Sequence, residues 1–90
     1  MTADNEVIRI NRRIEIRVLD TGESYWSRVE AIDNGALIVA APMKHGTPVW
    51  APRGTKVRVD IPHEGKRYSF RASVLKVAQG DLSTWTISYP

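Results

Sequence analysis

Hydrophobic and polar residues alternate along most of the chain. Ile14, Ile16 and Val18 are interleaved with Arg13, Glu15 and Arg17. Val57, Val59 and Ile61 alternate with Lys56, Arg58 and Asp60, and Tyr68, Phe70, Ala72 and Val74 alternate with Ser69, Arg71 and Ser73. Trp85, Ile87 and Tyr89 alternate with Thr84, Thr86 and Ser88. A period of two is that of a strand with one buried face and one wet face. Residues 25–32 read less cleanly, with Tyr25 and Val29 on one face and Trp26, Arg28 and Glu30 on the other. Residues 36–41, Ala-Leu-Ile-Val-Ala-Ala, are almost wholly apolar, the pattern of a central strand buried on both sides.

Turn signals separate these runs. Asp20-Thr21-Gly22-Glu23, Asp33-Asn34-Gly35, Pro52-Arg53-Gly54-Thr55, His63-Glu64-Gly65-Lys66 and Gln79-Gly80-Asp81 each carry residues that tolerate tight backbone geometry. Pro42–Pro52 is the longest irregular stretch and reads as an ordered loop holding Trp50. No window shows a helical i, i+3, i+4, i+7 stripe, and there is no repeat, low-complexity tract or internal linker. The expected fold is all-β: about six short strands in a small antiparallel barrel, whose closure removes the exposed edges of an open sheet. The expected organisation is a polar N-terminal segment at 1–12 and one barrel domain at 13–90.

Length and composition narrow the chemistry. Ninety residues suit one domain with one small core. The absence of cysteine excludes disulfides, thiolate metal sites and thiol catalysis, and fits a reducing compartment. No apolar run is long enough for a membrane-spanning helix, and the first 13 residues lack the apolar core of a secretory signal. A cytoplasmic protein without membrane insertion is expected.

Catalysis finds little support. His45 and His63 lie in predicted loops with no metal-ligand spacing between them, and read as solvated loop histidines. The serines lie in or beside strands, without an elbow motif. Asp60 and Glu64 would pair only by accident of folding. No glycine-rich phosphate loop occurs. The expected protein is not an enzyme and needs no cofactor or metal.

Thirteen Lys and Arg against 10 Asp and Glu leave a net charge of +3. Trp26, on the polar phase of its strand, and Trp50, in its proline-rich loop, could stack on single-stranded nucleic acid beside a basic groove. Equally, both could cap the ends of a barrel, and Glu15, Glu30 and Asp60 interrupt any continuous positive stripe. Arg9 and Arg13, spaced Arg-x-x-x-Arg, are candidate phosphate contacts because a guanidinium clamps phosphate bidentately. On a strand, residues four apart also simply share one solvated face.

Residues 24–74 resemble the PilZN domain, the N-terminal domain of YcgR-type flagellar brake proteins, which are cyclic di-GMP receptors. The resemblance runs through Tyr25, Ser27, Val29 and Ile32, then Leu37-Ile38-Val39 up to Pro42-Met43. It continues through Gly46, Pro48 and Val49, Gly54, Val57 and Val59, and Tyr68, Phe70 and Val74. Thr86-Ile87-Ser88-Tyr89-Pro90 is similar to the family's last strand. The resemblance implies a six-stranded split barrel. It also implies a regulatory module in motility control that packs against a PilZ domain, in cis or trans, and contributes to contacts with flagellar motor proteins. In the family a C-terminal PilZ domain binds the dinucleotide, through an Arg-x-x-x-Arg segment in the linker and an Asp-x-Ser-x-x-Gly motif. This sequence has no Asp-x-Ser-x-x-Gly; Asp33-Asn34-Gly35 comes nearest. The chain stops at Pro90, where that linker would begin, so the expectation is a standalone relative or a piece of a longer brake protein. The expected partner surface is Trp26, Arg28, Trp50 and Arg53. The alternatives are a nucleic-acid-binding barrel and a degenerate one-domain PilZ that binds cyclic di-GMP through Arg9 and Arg13.

Overall fold

The strands are β1 (Arg13–Val18), β2 (Ser24–Asp33), β3 (Ala36–Ala40), a short pair β4 (Met43–Lys44) and β5 (Thr47–Pro48), then β6 (Lys56–His63), β7 (Lys66–Ala78) and β8 (Thr84–Ser88), and all but the short pair fall on the alternating and apolar runs. The structure is a computed structural model that describes residues 8–80 and 82–89. Asp81 of the Gln79–Asp81 turn, the closing Pro90 and the first seven residues of the polar N-terminal segment lie outside the described residues.

Six strands close an antiparallel barrel in the order β1-β2-β3-β8-β7-β6, as expected. It consists of two three-strand meanders. β1 pairs with β6 along one seam and β3 with β8 along the other. β2 and β7 are the long strands, and each serves both halves of the barrel. β2 pairs with β1 up to Arg28 and with β3 from Val29, with a bulge between Val29 and Ala31. β7 pairs with β6 up to Ser73 and with β8 from Val74, with a bulge between Val74 and Lys76. A bulge bends its strand and sharpens the twist, which is what a small barrel needs where a strand turns a corner.

The two meanders are related by a pseudo-two-fold axis. At the first corner Asn11 N–H donates to Val29 O (2.6 Å) and Val29 N–H to Arg12 O (2.9 Å). At the second, Gly54 N–H donates to Val74 O (2.7 Å) and Val74 N–H to Thr55 O (2.9 Å). Asn11 and Gly54 both have positive φ, 72° and 91°. The axis passes near the Ile16–Val59 pair and exchanges Arg17–Arg58 with Glu15–Asp60.

The interior is filled by the inward phase of the strands. Ile14, Ile16, Val29, Leu37, Val39, Val57, Val59, Val74, Trp85 and Ile87 are fully buried. Ile8 also belongs to this core, whereas Ile10 is exposed, so the segment before β1 is packed onto the barrel at Ile8.

Three local expectations are corrected. β3 is not buried on both sides: Leu37 and Val39 point inward, while Ala36, Ile38 and Ala40 are half-buried, because the barrel has a single interior. The Pro42–Pro52 stretch is not wholly irregular, since it holds the β4–β5 hairpin, turned by His45 (φ 52°) and Gly46 (φ 78°). Paired positive φ is the geometry of a type I′ turn, whose twist matches the strands it joins. His63 is not a solvated loop residue. It ends β6, accepts a hydrogen bond at Nδ1 from Arg12 Nη1 (2.7 Å) and lies 6.3 Å from the Tyr68 ring.

Candidate functional site

The segment between β3 and β6 crosses one end of the barrel. Ala41, Pro42 and Ala51 on it are buried. Pro42, lacking an N–H, ends the β3 ladder, and its carbonyl accepts from Val49 N–H (2.8 Å). Trp85, fully buried in the barrel, donates its indole N–H to Val49 O at 2.9 Å. Thr55 Oγ1 donates to Pro52 O (2.7 Å) and closes the turn that holds Arg53. The loop is thereby fastened at Val49 and Pro52. Trp50, between those anchors, is 64% exposed. It borders an open groove of ≈ 230 Å³ together with Val18, Tyr25, Val49, Pro52 and Trp85. A large exposed aromatic on a fixed backbone is a typical anchor of a protein interface, because little entropy is lost when a partner covers it.

Polar groups brace the opposite rim. Glu23 accepts from Lys44 Nζ at Oε2 (2.8 Å) and from the Tyr25 hydroxyl at Oε1 (2.9 Å), which ties the β4–β5 hairpin to β2. The Lys44 hydrogen bond, then that of Tyr25, holds the Glu23 carboxyl below its ordinary value. The Glu23 hydrogen bond raises the Lys44 ammonium. Desolvation, reinforced by Glu23, raises the Tyr25 hydroxyl. A depressed carboxyl favours the folded arrangement above its unfolded pKa, and that contribution is lost as pH falls through the lower folded value. The tether is therefore expected to hold at neutral pH and to release only on acidification below the usual glutamate range. An NMR titration of the Glu23 carboxyl should give a midpoint below that of free glutamate. A midpoint at or above it would show that the tether does not form.

Trp26 and Arg28 lie elsewhere, on the outer face of β2. Trp26 is 49% exposed, and the Arg13 guanidinium sits 4.0 Å over its ring in a cation–π contact. Arg28 pairs with Glu30 at 3.0 Å. The four expected surface residues thus divide between a loop pair, Trp50 and Arg53, and a strand pair, Trp26 and Arg28. Arg9 and Arg13 do not share a strand face. A turn separates them, in which Arg12 N–H donates to Arg9 O (3.0 Å) and Asn11 has positive φ. Arg13 is the first residue of β1 and is engaged with Trp26.

Asp60 and Glu64 do not converge. Asp60 is bound by Arg58 (3.2 Å) and by the Ser69 hydroxyl, whereas Glu64 faces His63 Nε2 at 3.4 Å. Among the described residues no three His, Asp or Glu side chains group as metal ligands. The Trp85–Val49 anchor is not legible in the sequence. A tryptophan in a strand's inward phase reads as core, and nothing local says which carbonyl its N–H will meet.

A family model described as flagellar protein YcgR matches residues 9–90. Among solved structures, the Bacillus subtilis inhibitor of motility (MotI/DgrA) is similar, with a TM-score of 0.73 and 19% sequence identity, over 92% of this chain and 42% of that chain. At that identity the likeness bears on the fold alone, and the chain spans less than half the length of that structure. No curated protein matches the sequence.

Proposed function

Since this chain belongs to the PilZNR family, that of flagellar protein YcgR, we propose that it is a non-catalytic regulatory and interaction domain in cyclic di-GMP control of flagellar motility, acting in the cytoplasm. The observation that carries the reading is the extent of the family match, which runs from the turn before β1 through the last strand of the barrel. The proposed partner is a PilZ domain, in cis or in trans, with flagellar motor proteins as further partners. The Trp50–Arg53 loop is the main contact and the Trp26–Arg28 strand face the accessory one. The exposure of Trp50 between two backbone anchors supports this choice. No cofactor is assigned to this chain, and nucleic acid is not its partner in this reading, since one face of Trp26 already holds Arg13.

Calorimetry with cyclic di-GMP tests the assignment of the nucleotide to the partner. The chain alone is expected to give no saturable heat, and heat should appear once a PilZ domain is present. Micromolar binding by the chain alone, lost in Arg9→Ala or Arg13→Ala, would replace this reading with that of a one-domain PilZ.

A further inference from the structure

Strand register aligns three arginines that are distant in sequence. Arg17 on β1 lies directly opposite Arg58 on β6, and Arg58 lies directly opposite Arg71 on β7. All three occupy the outward phase and are exposed. Like charges directly opposite on neighbouring strands are destabilising, so two such pairs side by side call for a reason. The compensation within the chain is slight. Arg58 has Asp60 at 3.2 Å and the Ser69 hydroxyl at 3.4 Å, and Arg17 Nε has the Ser24 hydroxyl at 3.2 Å. Arg71 makes no hydrogen bond or ion pair among the described residues. Lys56, bonded to Ser73, stands one row further along the same face.

The row is bordered by apolar surface. Leu19, 37% exposed, lines both hollows that flank Arg71: one with Arg17, Arg58 and Ser69, the other with Lys56 and Ser73. Neither hollow is enclosed, which leaves the row accessible to the side of a macromolecule.

We propose that the outer face of β1, β6 and β7 docks an acidic amphipathic helix of a partner protein, its carboxylates meeting the Arg17–Arg58–Arg71 row and its apolar residues meeting Leu19. Neighbouring strands are about 4.8 Å apart, so the row spans about 10 Å. A helix rises about 1.5 Å per residue, so carboxylates at i, i+4 and i+7 span about the same distance on one face. Arginine and carboxylate can then pair bidentately. A nucleic acid fits less well. Glu15, in the next row of the same face, would repel a polyanion that continued past the arginines. This surface rests on register and charge, independently of the motility reading.

The test uses a synthetic alanine-based helical peptide with Glu at i, i+4 and i+7 flanked by Leu, and a second peptide of equal composition with its Glu residues spread round the helix. Each is titrated into the isotope-labelled full chain and followed by NMR. The aligned peptide should give saturable, salt-sensitive shifts around Arg17, Leu19, Arg58 and Arg71. It should bind about tenfold or more tightly than the spread peptide, and Arg71→Gln should remove most of that advantage. Arg71→Gln should also fold with a raised Tm, because a repulsive neighbour has gone; Arg17→Gln is the second variant. Equal binding of the two peptides, absence of shifts on this face, or unchanged affinity in both variants would overturn the proposal. So would tighter binding at this face by an oligothymidylate or by phosphatidylglycerol vesicles.

Discussion

Trp85→Ala is expected to destabilise the barrel by about 3–5 kcal/mol, the range for removing a large aromatic from a packed core. Trp85 is fully buried at the meeting of β3, β7 and β8, paired with Val39 on one side and Val77 on the other. Its loss would also orphan the carbonyl of Val49, which accepts its indole N–H. A small domain has a total stability of only about 5–15 kcal/mol, so the variant should be largely unfolded or close to it at room temperature. Trp85→Phe separates the two contributions. It keeps most of the apolar volume but leaves the Val49 carbonyl unpaired, at a cost of about 1–3 kcal/mol. Urea unfolding followed by circular dichroism measures both. A loss under about 1 kcal/mol for Trp85→Ala would mean that the loop is held by something other than this anchor.

Trp50→Ala is expected to do the opposite. Its side chain is largely exposed, so stability should change by no more than about 0.5 kcal/mol. Affinity for a PilZ partner should fall by about 2 kcal/mol or more, roughly 30-fold, as for a central interface tryptophan. Adding Arg53→Ala should weaken binding further while leaving the unfolding curve in place. Unchanged affinity in the double variant, with the fold intact, would move the interface away from this loop. The contrast between the two tryptophans separates what holds the loop in place from what the loop presents.

Much of the fold is legible in the sequence because alternation is a local signal. Ile14, Ile16 and Val18 face inward whatever strand lies beside them, and the same holds for Val57, Val59 and Ile61. The bulges are harder to read. Val29 and Ile32 both pair with inward residues of β3, and Val74 and Val77 with inward residues of β8, although each couple is three apart. An odd spacing breaks a period of two, which is why residues 25–32 read poorly. The pseudo-two-fold is illegible in the sequence for another reason: it lies in register, not in residue identity. Asn11 and Gly54 serve the same corner role, as do Val29 and Val74, yet the flanking sequences do not repeat.

The candidate site is legible only in part. Trp26 and Trp50 stand out in sequence as aromatics in polar surroundings, and both are exposed. Their separation onto a strand face and a loop follows from the course of the chain across the barrel end, which no local pattern encodes. His63 reads as a loop residue because its turn follows at once, but Arg12, 51 positions earlier, reaches its ring. Arg17, Arg58 and Arg71 each appear as one solvated charge on one alternating strand. Only the pairing of three distant strands makes them a row.

In the proposed function this barrel is a docking module whose contact surface is the fastened Trp50–Arg53 loop and whose nucleotide is bound by its partner. The most direct measurement is an NMR titration of the isotope-labelled chain with a PilZ domain loaded with cyclic di-GMP, alongside a titration with the nucleotide alone. Saturable shifts are expected at residues 49–53, weaker ones at Trp26 and Arg28, and none with the nucleotide alone. Shifts at Arg9 and Arg13 on addition of the nucleotide alone, with residues 49–53 unmoved by the PilZ domain, would contradict this function.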